Sequence, residues 1–100
     1  MSYKVEFRKE AQQDILEAIA WYEEIRKGLG GELLVAIENE KNFIEENPYY
    51  HEDKYKGIRK AITQRFPYVL YYRIESENKV LIYAVLHMKR NPGIWKRRMK

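Results

Sequence analysis

Phe66-Pro67-Tyr68-Val69-Leu70-Tyr71-Tyr72-Arg73 decides how this chain folds. Tyr68, Leu70, Tyr72 and Ile74 alternate with Val69, Tyr71, Arg73 and Glu75, the period of a strand. Pro67 stands at the strand boundary, where a missing backbone donor is tolerated. Ser76-Glu77-Asn78 reads as a short hairpin turn. In the next strand Val80, Ile82, Ala84 and Leu86 alternate with Leu81, Tyr83, Val85 and His87. Both sets are apolar apart from His87, so this last strand is expected to be central and covered on both faces. Working backwards, Ile58, Lys60, Ile62, Gln64 and Phe66 share one face of a preceding strand, and Arg59, Ala61, Thr63 and Arg65 the other. Asn91-Pro92-Gly93 closes this meander and leaves the basic tail from Trp95 to Lys100.

The first half is helical after one strand. Tyr3, Val5 and Phe7 alternate with Lys4, Glu6 and Arg8. Ala11, Ile15, Ala18, Ile19, Tyr22 and Ile25 then recur at helical spacing, predicting a helix over 9–27. Glu10 and Asp14 near its start and Arg26-Lys27 at its end complement the helix dipole. Gly28, Gly30 and Gly31 supply the stop. A second helix is expected over 31–46, with Leu33, Leu34, Ile37, Phe43 and Ile44 as its stripe and Asn47-Pro48 as its end. Residues 49–57 read as a polar, aromatic loop. The predicted order is β-α-α-β-β-β, an α+β fold in one domain over 1–100. In it a helical hairpin packs on one face of a mostly antiparallel four-stranded sheet.

One hundred residues can bury one core. The absence of cysteine excludes a disulfide framework and suits a reducing compartment. No apolar run approaches a membrane span and none near Met1 resembles a signal peptide, so a cytoplasmic protein without membrane partners is expected. The formal charge of +4 conceals an asymmetry. Residues 1–50 carry 6 Lys and Arg against 11 Asp and Glu, whereas residues 51–100 carry 13 against 4. The sheet half is therefore the basic half, and an acidic partner is implied.

Little in the chain carries chemistry by itself. There is no glycine-rich phosphate loop, and neither His51 nor His87 has the spaced partners of a metal site, so no metal or cofactor is expected. Glu23-Glu24 and Glu45-Glu46 read as solvated helix-surface pairs. His87, at the end of the last strand before Lys89-Arg90, could orient an anion or move a proton. Its plain alternative is a structural hydrogen bond at a strand end. Lys54, Lys56, Arg59, Lys60, Arg65, Arg73, Lys89 and Arg90 could line a groove that tracks phosphates, with Tyr68, Tyr71, Tyr72 or Trp95 as stacking surfaces. The alternative is that the lysines are solvated and the tyrosines pack the core edge.

Taken together, the 14–22 stretch with Trp21-Tyr22, Gly28-Leu29-Gly30, Asn47-Pro48, Arg59-Lys60-Ala61, Arg65-Phe66-Pro67-Tyr68, Leu70-Tyr71-Tyr72-Arg73 and Ala84-Val85-Leu86-His87 resemble the RelE/ParE superfamily. These are toxins of bacterial type II toxin–antitoxin modules, often called plasmid-stabilisation proteins. The resemblance implies the same β-α-α-β-β-β order and two chemistries. The RelE branch cleaves ribosome-bound mRNA; the ParE branch inhibits DNA gyrase. The strand ending Ala84-Val85-Leu86-His87 is similar to ParE. Trp95 stands about where a RelE-type toxin places a tyrosine, and an indole has no ionisable hydroxyl for acid–base work. The resemblance thus implies a growth-inhibiting gyrase inhibitor held by a cognate antitoxin with an acidic, partly disordered C-terminal segment. It also implies a homodimer or a toxin–antitoxin heterotetramer. Expected binding residues are Arg59, Arg65, Tyr68, Lys89, Arg90 and Trp95. The alternative is a ribosome-dependent endoribonuclease using His87, Arg65 and Arg90, with Lys54 and Lys56 as further phosphate ligands.

Overall fold

The computed structural model describes residues 2–89 and 93–98. The chain runs β1 (Lys4–Phe7), α1 (Lys9–Ile25), α2 (Leu29–Glu46), β2 (Asp53–Tyr55), β3 (Ile58–Ile62), β4 (Tyr68–Ser76), β5 (Lys79–His87) and α3 (Gly93–Arg98). The sheet order is β1-β5-β4-β3-β2, with β1 parallel to β5 and every other pair antiparallel. The α+β architecture with a helical hairpin on a mostly antiparallel sheet is therefore as expected, but the sheet has five strands rather than four.

The hairpin covers one face. Ala11 and Ala18 of α1 and Leu33, Ile37 and Ile44 of α2 pack on Leu70, Tyr72, Val80, Ile82 and Val85. Each large aliphatic buried in this way contributes about 1.5–3 kcal/mol relative to exposure. The two helices approach closely at Gly30, where a Cβ would stand 2.6 Å from the Ile19 carbonyl oxygen. Glu23 of α1 accepts the Gly28 and Gly30 N–H groups at 2.8 and 2.9 Å. It thereby caps the start of α2, where unpaired backbone donors favour a carboxylate. This corrects the reading of Glu23 as merely solvated. Ile25 is likewise not part of the buried stripe; it is 61% exposed at the last turn of α1.

The opposite face carries a second apolar cluster of Ile58, Val69, Tyr71, Tyr83, Ala84 and Leu86, closed by Trp95. β5 is thus central and covered on both sides, but its alternation breaks midway. Tyr71 pairs with Ala84 while Tyr72 pairs with Ile82, so one extra residue is inserted at Tyr83. Such a bulge inverts the faces beyond it. Val85 therefore joins Val80 and Ile82 under the helices, and Ala84 and Leu86 turn to the other face, the reverse of the expected alternation.

The fifth strand, β2, lies in the stretch expected to be a loop. Its three residues show no apolar period; it forms because Lys56 (φ 47°) and Gly57 (φ 86°) make a tight turn with both residues left-handed, the geometry of a two-residue hairpin. Residues 93–98 form α3, a helix of about a turn and a half. Six residues are too few for a helical period to be read.

Candidate functional site

β1 ends opposite Ile82, whose carbonyl accepts the Arg8 N–H at 2.9 Å, and among the described residues the rest of this β5 edge has no neighbouring strand. Two side chains take its place. Val85 N–H donates to Asp14 Oδ2 at 3.0 Å, and Arg98 donates to the Tyr83 carbonyl at 3.2 Å. Arg98 also holds both Asp14 oxygens, at 2.6 and 3.1 Å. This is a bidentate pair in a largely buried setting, and Asp14 raises the guanidinium above its ordinary pKa. The clamp joins α1, β5 and α3. Sequence reasoning gave Asp14 only a dipole role, because a partner 84 residues away has no local signature.

Beside the clamp, α1 and the end of β5 flank a groove of about 230 Å³ lined by Asp14, Glu17, Ala18, Trp21, Tyr68, Val85, Leu86 and His87. Trp21 forms one wall and is 65% exposed, a large apolar surface that the fold itself does not cover. Tyr68 and His87 form the other, paired across β4 and β5 with their rings 5.5 Å apart at 77°. His87 Nδ1 accepts the Lys89 backbone N–H at 3.1 Å. In the neutral ring this leaves the proton on Nε2, so His87 presents a donor and not a base to its surroundings.

The remaining expected residues are dispersed. Arg65 occupies the β3–β4 turn in a left-handed conformation (φ 70°) and donates to Glu32 Oε1 of α2 at 2.8 Å. That hydrogen bond holds the Glu32 carboxyl below the usual range. Arg59 donates to the His51 carbonyl and lies 5.1 Å from the centroid of the Tyr49 ring, so it fastens the segment before β2. Trp95 is buried on the far face, stacked on Tyr71 at 4.9 Å and 16°. Lys89 is exposed at the groove end. Arg90 lies outside the described residues. Tyr68, His87, Lys89 and the turn bearing Arg65 gather at one end of the sheet, because Tyr68 pairs with His87 and Met88 N–H reaches the Pro67 carbonyl.

Lys54 and Lys56 do not join that group. Lys56 carbonyl accepts from Arg73, five residues along β4 from Tyr68, or about 17 Å at strand rise. Lys54 and Lys56 are therefore not drawn around the same phosphate as His87 and the turn bearing Arg65. Among the described residues no three His, Asp or Glu side chains gather as a metal site, and no helix is long and apolar enough to cross a membrane.

This architecture is that of the RelE/ParE toxins. Structural relatives include the chromosomal ParDE toxin–antitoxin system from P. aeruginosa, with a TM-score of 0.75 and 12% identity over 86% of this chain and 96% of that one. Another is the RelBE2 toxin–antitoxin complex from Mycobacterium tuberculosis, with a TM-score of 0.64 and 22% identity over 87% and 99%. No curated protein sequence matches. The sequence model of the ParE toxin of the type II toxin–antitoxin system parDE matches residues 5–92, and the chain belongs to that family.

Proposed function

We propose that this chain is a ParE-type toxin that inhibits DNA gyrase in the cytoplasm as a binding protein and is neutralised by a cognate antitoxin. The family match over residues 5–92 carries the reading. Two features of the site support binding over catalysis. Nδ1 of His87 is occupied by the Lys89 N–H and is not free to take a proton, and Lys54 and Lys56 lie at the other end of the sheet from His87 and the Arg65 turn.

The antitoxin would occupy the groove between α1 and β5. An amphipathic helix laid there would cover Trp21, and Ile25 one turn on, with apolar side chains. Arg59 and Arg65 are already engaged by the His51 carbonyl and Glu32, which leaves Lys89 to meet an acidic segment. Trp21→Ala is then expected to weaken antitoxin binding by at least about 2 kcal/mol, as central aromatic anchors do. Titration of the purified variant with its antitoxin measures this; unchanged affinity places the antitoxin elsewhere.

Expression without antitoxin tests the target. Growth arrest with DNA-damage induction and intact mRNA, together with loss of gyrase supercoiling by the purified toxin, is the expected result. Arrest with rapid mRNA cleavage would assign the chain to ribonuclease chemistry instead.

A further inference from the structure

The face of the sheet away from the helical hairpin carries an unusual arrangement of cations. Lys60 Nζ lies 5.0 Å from the centroid of the Trp95 ring, and Lys96 Nζ lies 5.6 Å from it. Lys96 Nζ is also 5.0 Å, and Lys56 Nζ 5.5 Å, from the Tyr55 ring, which meets Trp95 edge-on at 5.6 Å. Three ammonium groups from β3, α3 and the β2–β3 turn therefore converge over two touching rings. Among the described residues no carboxylate lies within 4 Å of any of the three, whereas Lys4, Arg8, Arg26, Lys41, Arg65 and Lys79 each have one. Ring faces attract a cation but do not neutralise it, so the positive potential stays available to a partner. Lys56 adds an independent sign. It holds a left-handed backbone, which asparagine or glycine adopts at lower cost. Backbone strain of this kind persists where the surroundings fix it, here through Arg73 on the Lys56 carbonyl at 2.7 Å and Asp53 on the Gly57 N–H at 3.0 Å.

We infer that this face is a second binding surface, separate from the α1–β5 groove, and that its partner is the phosphate backbone of duplex DNA. Lysine ammoniums are point donors suited to phosphate oxygens and carry no base readout. The rings beneath them argue against single strands. Trp95 and Tyr71 are 3% and 6% exposed and stacked on one another, which leaves only the half-buried Tyr55 ring where successive unpaired bases would need several open faces. An acidic helix would need a row of apolar anchors; Leu16, Trp21, Ile25 and Val35 are exposed on the two hairpin helices, whereas β3 offers the far face Ile62 alone, opposite Val69. The inference deepens the gyrase reading, since gyrase acts on DNA, but it is tested without gyrase.

The experiment is fluorescence anisotropy of a labelled 20-base-pair duplex with the full-length toxin across a salt series, using Lys56→Gln, Lys60→Gln and Lys96→Gln. Lys9→Gln and Lys27→Gln on the hairpin side remove the same charge and serve as controls. Three phosphate contacts predict a slope of log affinity against log salt of about −2.7, reduced by about 1 in each patch variant and unchanged in the controls. No binding, or equal losses in patch and control variants, overturns the proposal. Tighter binding of a single strand of the same sequence also overturns it. Supercoiling inhibition that persists while duplex binding fails would leave the gyrase reading intact and remove only this surface.

Discussion

The two faces of the sheet bury aromatic and aliphatic side chains alike, yet they treat charge in opposite ways. On the hairpin face, ions are neutralised locally. Glu32 of α2 takes both Arg26 and Arg65, Lys41 takes Glu45, and Glu23 caps the next helix. On the far face, lysines lie over Tyr55 and Trp95 and, among the described residues, none of the three has a carboxylate within 4 Å. A six-residue helix covers that face, far less than the thirty-five residues of α1 and α2 on the other. The difference teaches that one face is organised for stability and the other holds charge in reserve.

Breaking the far face at its centre should have the largest effect. Trp95→Ala removes the ring that Tyr71, Lys60 and Lys96 pack on, and is expected to cost about 4 kcal/mol in a urea melt. A loss below about 1 kcal/mol would mean that α3 contributes little to the fold. Asp14→Ala, which unties the two faces at the β5 edge, is expected to cost about 3 kcal/mol. It leaves Arg98 without its carboxylate and the Val85 N–H without an acceptor. If the clamp acts as a unit, Asp14→Ala combined with Arg98→Ala costs less than the two single changes together.

The hairpin face can be probed by pH. Tyr72 is fully buried under the helices and donates to the Pro48 carbonyl at 2.7 Å, and burial pushes its pKa up to about 12. Because the folded value lies above the unfolded one near 10, folding favours the neutral phenol. Its contribution, about 3 kcal/mol, is present below pH 10 and lost as pH rises toward 12. Tyr72→Phe should flatten that alkaline limb in melts at successive pH values. Smallest of all, Lys60→Gln should change stability by less than about 0.5 kcal/mol while still weakening duplex binding. A large destabilisation would make the lysine structural, and the contrast between the faces would collapse.

The sequence alone determined the architecture. Period-2 alternation in β3, β4 and β5, period-3.6 stripes in both helices and the glycine stop between them are local signals, and they placed the hairpin, the meander and the central position of β5. The charge asymmetry was equally legible, since it needs only counting. Tertiary structure alone decided what is non-local. The bulge at Tyr83 reassigns Val85 to the helix side, although nothing in an all-apolar strand distinguishes the two registers. The clamp joins residues 84 positions apart. Trp95, expected at a binding surface, became buried support for Lys60 and Lys96, while Trp21, known only as part of a resemblance, became the exposed wall of a groove. A ring or a cation has no role until packing decides whether its partner is a neighbour or solvent.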